Sequence, residues 1–265
     1  MQGVDVPALG LGTWPMEGER CRRAVATALD LGYRHVDTAQ MYANEDAVGA
    51  AVAAADVPRE DVFVVTKLLR GNLAPADVRT SFAASLDRLG LAAVDLLLIH
   101  APSSSVPIEE TMAAMNELQA EGTVDHVGVS NFSVDQLRAA MDASGTPVVT
   151  NQVEYHPYRD RTELLSFCVE HDVALTAYSP LDEGGVVGDE TLAAIGERHG
   201  KTAAQVALRW LLQQPNVVAI PKASSREHLR ENRDVFDFAL TAAEMERVFE
   251  LGGGAPGRVR DLLGP

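Results

Sequence analysis

The sequence predicts an α/β fold in which eight parallel strands and their helices close into a (β/α)8, or TIM, barrel. Three observations predict it. Eight short apolar runs recur along the 265 residues, with helical patterns between them. Several runs are continuous rather than alternating, as in Val94-Asp95-Leu96-Leu97-Leu98-Ile99. Continuous runs suit strands covered on both faces, as parallel strands are. Repeated strand–helix alternation builds a parallel sheet. Eight units in this length favour closure over an open sheet of about five or six strands.

The first strand is the short run Ala8–Thr13, followed by His35–Thr38, Val62–Lys67 and Val94–His100. His126–Ser130, Val148–Val153, Val173–Tyr178 and Val217–Pro221 complete the eight. Between the third and fourth, Val78, Phe82, Leu86 and Leu89 are spaced for one face of a helix. Ser133-x-x-Gln136, Thr202-x-x-Gln205 and Thr241-x-x-Glu244 read as capping boxes, each opening a helix. Two helical patterns, Glu190–His199 and Thr202–Gln213, follow the seventh strand, so an extra helix is expected near the C-terminal end. No low-complexity linker divides the chain, and residues 1–265 read as a single domain. The tail Gly252-Gly253-Gly254-Ala255-Pro256-Gly257 is flexible by composition.

Composition narrows the function. Thirty-eight acidic residues against 22 basic ones give a formal charge of −16, which repels nucleic-acid phosphates and disfavours a nucleic-acid partner. No run of about 18 apolar residues suggests a membrane span, and no basic-then-apolar leader opens the sequence. Cys21 and Cys168 lie far apart, and the seven histidines form no ligand cluster with Cys or carboxylates. A reduced cysteine pair, no metal and a cytoplasmic location are therefore expected. Only three of the basic residues are Lys, namely Lys67, Lys201 and Lys222. An acidic, Lys-poor surface suits a cytosol of high ionic strength; Arg- and Ala-rich codon usage is the plainer explanation.

In such a barrel the chemistry sits at the C-terminal ends of the strands. Strand two ends at Asp37 with Tyr42 in the loop beyond it, strand three at Lys67 and strand four at His100. Singly, each has a plain structural use, as a cap, a loop anchor or a satisfied core group. Together on one rim they suit carbonyl reduction, which needs a hydride at carbon and a proton at oxygen. Tyr42 can give the proton, although a free phenol has a pKa of about 10. A neighbouring Lys67 ammonium is expected to lower that pKa. Asp37 would hold Lys67 charged, and His100 could donate a hydrogen bond to the substrate oxygen. Lys201 starts a helix and reads as unremarkable.

A dinucleotide fingerprint is absent, because Gly10-Leu11-Gly12 has no third glycine at the required spacing. The motifs nevertheless resemble one family, the aldo-keto reductases. They run from Gly10-Leu11-Gly12-Thr13-Trp14 through Asp37-Thr38-Ala39-Gln40-Met41-Tyr42 with Asn44-Glu45, Thr66-Lys67 and Leu98-Ile99-His100. Gly128-Val129-Ser130-Asn131-Phe132, Asn151-Gln152-Val153-Glu154-Tyr155-His156-Pro157, Tyr178-Ser179-Pro180-Leu181 and Ile220-Pro221-Lys222 follow in order, ending at Glu231-Asn232. The resemblance is to short prokaryotic members of the diketogluconate and methylglyoxal reductase type.

It implies that Asp37, Tyr42, Lys67 and His100 are the catalytic tetrad, with Tyr42 as acid. It also implies that Ser130, Asn131 and Gln152 bind the nicotinamide carboxamide, Tyr178 stacks on the ring, and Ser179 and Leu181 line the pyrophosphate. Lys222, Glu231 and Asn232 match the adenosine end; Thr13 lies beside the cofactor; Trp14, with Tyr42 and His100, faces the substrate. A monomer acting on small or medium aldehydes and ketones is implied as well. His100 favours carbonyl reduction, since relatives that reduce carbon–carbon double bonds tend to carry an acid there.

The sequence departs from the family pattern in two places. Ala101 follows His100 where an aromatic is common, and little chain remains after Leu251, so a shallow, permissive site without a long C-terminal substrate loop is expected. Ala223 follows Lys222, and His228 stands where the family has an Arg that grips the 2′-phosphate of NADPH. Imidazole is mostly neutral at neutral pH and has at most two donors, which weakens phosphate selectivity. Against that, Lys222, Arg226, Arg230 and Arg233 make a basic island, with Ser224 and Ser225 as further donors. The same charges would equally serve a helix with ordinary i, i+4 pairs. NADP(H) is favoured, with NAD(H) tolerated. Two other readings remain open: a barrel aldolase forming a Schiff base on Lys67, and a non-catalytic nicotinamide-binding redox sensor.

If the acidic surface is a salt adaptation, raising KCl from about 0.1 M to about 1 M, which shortens the Debye length from roughly 10 to 3 Å, raises the thermal midpoint. A midpoint that stays level or falls leaves codon usage as the sole explanation.

Overall fold

The computed structural model describes residues 1–253 of the chain; the tail beyond them, including most of the glycine-rich segment and any C-terminal substrate loop, lies outside the described residues. The strands are β1 (Leu11–Gly12), β2 (His35–Asp37), β3 (Phe63–Leu68), β4 (Val94–Ile99), β5 (Val124–Ser130), β6 (Val148–Glu154), β7 (Ala174–Tyr178) and β8 (Val217–Ala219). They lie side by side in sequence order, and each neighbouring pair is parallel. A parallel bridge between Leu9 and Ala219 joins the ends, with Gly10 N donating to Ala219 O at 2.9 Å and Ala219 N to Ala8 O at 2.9 Å. The sheet is thus a barrel with helices outside it.

Those helices are α1 (Gly18–Asp30), α2 (Glu45–Ala53), α3 (Pro75–Leu89), α4 (Ile108–Ala120), α5 (Val134–Ala143) and α6 (Thr162–Glu170). The remainder are α7 (Glu190–His199), α8 (Ala203–Leu212), α9 (Arg226–Arg233) and α10 (Ala242–Leu251). Both α7 and α8 precede β8, so the extra helix is where the sequence placed it. All three capping boxes form, at Ser133, Thr202 and Thr241. On α3, Val78, Phe82 and Leu89 are buried, and Leu86 packs partly buried beside them.

Strand period places the chemistry. Side chains two apart share a face. Phe63 and Val65 of β3, and Leu96 and Leu98 of β4, fill the barrel interior with Val149, Ala174 and Val218. The intervening Val64, Leu68, Leu97 and Ile99 pack outward under the helices. The same alternation continues inward to Lys67 and His100, at the strand ends.

Lys201 is not the plain helix-opening residue its position suggests. Its Nζ reaches Asp234 Oδ2 at 2.8 Å and Asp237 Oδ1 at 2.7 Å, pinning the α7–α8 junction to the chain after α9. Cys21 and Cys168 are buried and unpaired, and burial pushes their thiols up to about 11 and about 12. Among the described residues, no helix is long and apolar enough to cross a membrane, and no group of three or more His, Cys, Asp or Glu side chains could hold a metal ion.

Gly49 on α2 lies against the end of α3, where an added Cβ would sit 1.9 Å from the Leu89 carbonyl oxygen. Backbone cannot swing aside as a flexible side chain can. Gly49→Ala is expected to cost about 2–3 kcal/mol, measured as a fall in thermal midpoint of roughly 5–10 °C.

Candidate active site

Lys67 is the fully buried centre of the site. Its ammonium has three donors, and the structure uses each: one pairs with Asp37 Oδ1, one reaches Thr38 O at 2.8 Å, and one reaches Tyr42 OH at 3.2 Å. The other Asp37 oxygen accepts from Gln152 Nε2 at 2.7 Å. The Tyr42 ring lies between two aromatic neighbours, Trp14 at 5.2 Å and the edge-on His100 imidazole at 5.7 Å between centroids.

Local structure holds Tyr42 there. A 3-10 turn over Gln40–Tyr42 ends in Ala43 at φ 51°. Asn44 then accepts from Thr38 Oγ1 at 2.5 Å and donates to Met16 O at 2.7 Å. Glu45, almost wholly buried, accepts from Thr66 Oγ1 at 2.5 Å and from Arg88 at 2.8 and 2.6 Å. The Asn44-Glu45 pair therefore ties the Tyr42 loop to the loop after β1 and to β3. Gln40 Oε1 adds a link to the loop after β3, accepting from Leu69 N at 2.8 Å.

Electrostatics here differ from the expectation in one respect. Burial raises the Tyr42 pKa above the ordinary phenol value, and Asp37 adds to the rise. Lys67 lowers it by charge and hydrogen bond, but does not overcome burial, so the net direction is up. For Lys67, burial opposes the charge, yet Asp37 and Tyr42 outweigh it and raise its pKa. Burial, helped by the Lys67 charge, pushes His100 down to about 4. At neutral pH the rim therefore holds a neutral phenol, a charged ammonium and a neutral imidazole.

Above these groups opens a cavity of about 940 Å³, toward the upper end of small-molecule pockets. It runs from Trp14, Tyr42 and His100, past Thr13, Ser130, Asn131, Gln152 and Tyr178, along Ser179 and Leu181, to Lys222, His228, Glu231 and Asn232. Asp37 also reaches its wall, whereas Lys67 lies beneath it. Ser224 is not on the wall; its hydroxyl accepts from Arg20 at 3.1 Å.

The donor set is ordered along this cavity. Next to the tetrad, Asn131 Nδ2 donates to His100 O at 3.0 Å, and the Tyr178 hydroxyl donates to Asn131 Oδ1 at 3.0 Å. Ser130 Oγ donates to Gln152 O at 2.8 Å. At the far end stands an exposed ammonium, Lys222. Left-handed backbone at non-glycine residues gathers on the same rim, at Asn131 (φ 63°), Ser179 (φ 47°), Asp182 (φ 47°) and Glu183 (φ 51°); such strain concentrates at functional sites. Amides beside an aromatic ring at one end and a cation at the other fit a nicotinamide dinucleotide.

Several wall residues were not foreseen. Glu154 shares the inward face of β6 with Gln152, so strand period could have found it. Glu183, Gly184 and Val187 come from an irregular loop with no periodic signal.

The model of the Aldo/keto reductase family matches residues 8–252. The chain belongs to that family. Aldo-keto reductases are NAD(P)H-dependent oxidoreductases acting on small carbonyl substrates. An aldo-keto reductase of Mycolicibacterium smegmatis is 40% identical over 253 residues, covering 95% of this chain and 92% of its own. The glyoxal reductase of Bacillus subtilis is 38% identical over 248 residues, covering 93% and 89%. Among solved structures, a protein assigned as a 2,5-diketo-D-gluconic acid reductase B superposes with TM-score 0.92 at 46% identity, covering 96% of this chain and 89% of its own.

A neutral His100 has a measurable signature. In an NMR pH titration of this reductase, its ring protons are expected to shift near pH 4, well below the usual 6.5. Titration near 6.5 would show that the imidazole is not desolvated as the structure places it.

Proposed function

We propose that this aldo-keto reductase reduces small and medium aldehydes and ketones to alcohols with NAD(P)H, using Asp37, Tyr42, Lys67 and His100. The observation that carries the reading is the fully buried Lys67 ammonium, hydrogen-bonded to both Asp37 and the Tyr42 hydroxyl. The cofactor, when bound, supplies a hydride to the carbonyl carbon. Ser130, Asn131 and Gln152 would hold its carboxamide, Tyr178 would lie against its ring, and Ser179 and Leu181 would flank its pyrophosphate.

The chain's own groups manage the proton. Tyr42 is kept neutral by burial, so it carries the proton the forming alkoxide needs. As the proton leaves, the Lys67 ammonium, held by Asp37, stabilises the phenolate. His100 Nδ1 is buried and has no hydrogen-bond partner. Leaving that nitrogen bare strands an acceptor rather than a donor, and puts the ring's single proton on Nε2, where it can be given to the substrate oxygen.

A Schiff base on Lys67 fits poorly. The amine is held protonated by Asp37, is wholly buried, and has all three protons engaged. Ala101 leaves room beside His100 and supports a permissive pocket. At the adenosine end, Lys222 and His228 face the cavity. The rest of the basic island lies off the cavity wall: Ser225 caps α9, and Arg226 pairs with Asp30 at 2.7 Å. Among the described residues α9 has no i, i+4 ion pair of its own. NADPH preferred and NADH accepted is the cofactor use this supports.

The test is oxidation of NADPH and of NADH, followed by absorbance, with a panel of glyoxals, nitrobenzaldehyde and keto-sugars. Wild type is expected to turn over with both cofactors, and Tyr42→Phe to lose about 10²–10⁴-fold in kcat. Cofactor binding without turnover across the panel would point to a sensor instead. Turnover that survives Tyr42→Phe would remove Tyr42 as the acid.

A further inference from the structure

In the sequence, the basic charges cluster between Lys222 and Arg233. The fold leaves Lys222 on the cavity wall, keeps Arg226, Arg230 and Arg233 off it, and brings a different residue beside the segment that follows Lys222. Arg20, in the first turn of α1, is 204 positions from Ser224 in the chain, yet its Nη2 donates to Ser224 Oγ at 3.1 Å.

Three features bear on this contact. Its neighbours Arg22 and Arg23 both pair with Glu19, whereas no carboxylate among the described residues forms an ion pair with Arg20. A cation in a helix's first turn faces the positive end of the helix dipole, so its charge works against α1 rather than for it. And Lys222, two residues before Ser224, also has no ion-pair partner among the described residues and lines the cavity with His228. Two cations without an ion-pair partner among the described residues are therefore linked to Ser224, Arg20 hydrogen-bonded to it and Lys222 two residues before it on the cavity wall, in a chain with a formal charge of −16.

We propose that Arg20 is a specificity-determining residue that grips a phosphate monoester on the adenosine ribose of the cofactor. This rests on the reading that the cavity holds a nicotinamide dinucleotide. A guanidinium is permanently charged and can bind phosphate in a bidentate fashion, which the His228 imidazole cannot. Ser224 orients it, and Lys222 supplies the second charge from the cavity wall. Arg20 thus does from α1 what a guanidinium at position 228 would do from α9.

The experiment is calorimetric binding to the intact protein, without turnover. Adenosine 2′,5′-bisphosphate, adenosine 5′-phosphate and inorganic phosphate are titrated into wild type, Arg20→Gln and Arg20→Lys. Arg20 is exposed, so the variants fold. Arg20→Gln is expected to weaken the bisphosphate about tenfold, the scale of one charge-assisted contact, and to leave the 5′-phosphate within about twofold. Arg20→Lys recovers part of the loss, because the charge remains without the fork. Wild-type binding of the bisphosphate with no effect of Arg20→Gln, or an equal loss for both nucleotides, overturns the assignment to Arg20 and leaves the cofactor reading intact. Inorganic phosphate binding as tightly as the bisphosphate makes the site one for free phosphate and also overturns it. Wild type that binds neither nucleotide overturns the cofactor reading itself.

Discussion

A single ammonium inside the barrel is the constraint on which the rest of the site depends. A charge taken out of water is costly unless every donor is matched, and Lys67 is matched on all three sides by Asp37, Thr38 and Tyr42. That requirement brings the ends of β2 and β3 together with the loop after β2, and it draws in β6, because Gln152 satisfies the second Asp37 oxygen. Four chain segments are thereby fixed around one nitrogen. The phenol proposed as the proton donor is, in this sense, the third partner of a buried ion pair.

The outer supports serve the same arrangement. Asn44 and Glu45 do not touch the cavity, but they anchor the Tyr42 loop to Met16 and Thr66, and Arg88 of α3 neutralises the buried Glu45 carboxylate. A second ion pair, Arg88 with Glu45, thus braces the segment that carries the first. The net rise in the Tyr42 pKa follows from this enclosure: the packing that positions the phenol also removes the water that would solvate its anion.

Much of this could be read from residue order because it depends on local rules. Strand period carries Lys67 and His100 inward, and capping boxes mark the starts of α5, α8 and α10. What could not be read depends on contacts between distant segments. Tyr42 looked like an acid weakened only by its ordinary pKa, because the depth of its burial is a property of the closed barrel. Lys201 looked plain because Asp234 and Asp237 reach it from beyond α9. Ser224 looked like a wall donor, and the island looked self-contained, because Arg20 and Asp30 approach from α1. Sequence neighbours announce themselves by spacing, and partners that cross the barrel do not.

The scarcity of lysine has a practical consequence. Of the three lysine amines, one is sealed in the barrel, and a second is almost covered and bound by two carboxylates. Lys222 alone is exposed without an ion-pair partner among the described residues, and it stands at the mouth of the cavity. Lysine-directed acylation of the folded enzyme therefore converges on one address. A dye, a surface or a spin label attached there would report on the Lys222 end of the cavity and leave the barrel interior unmarked.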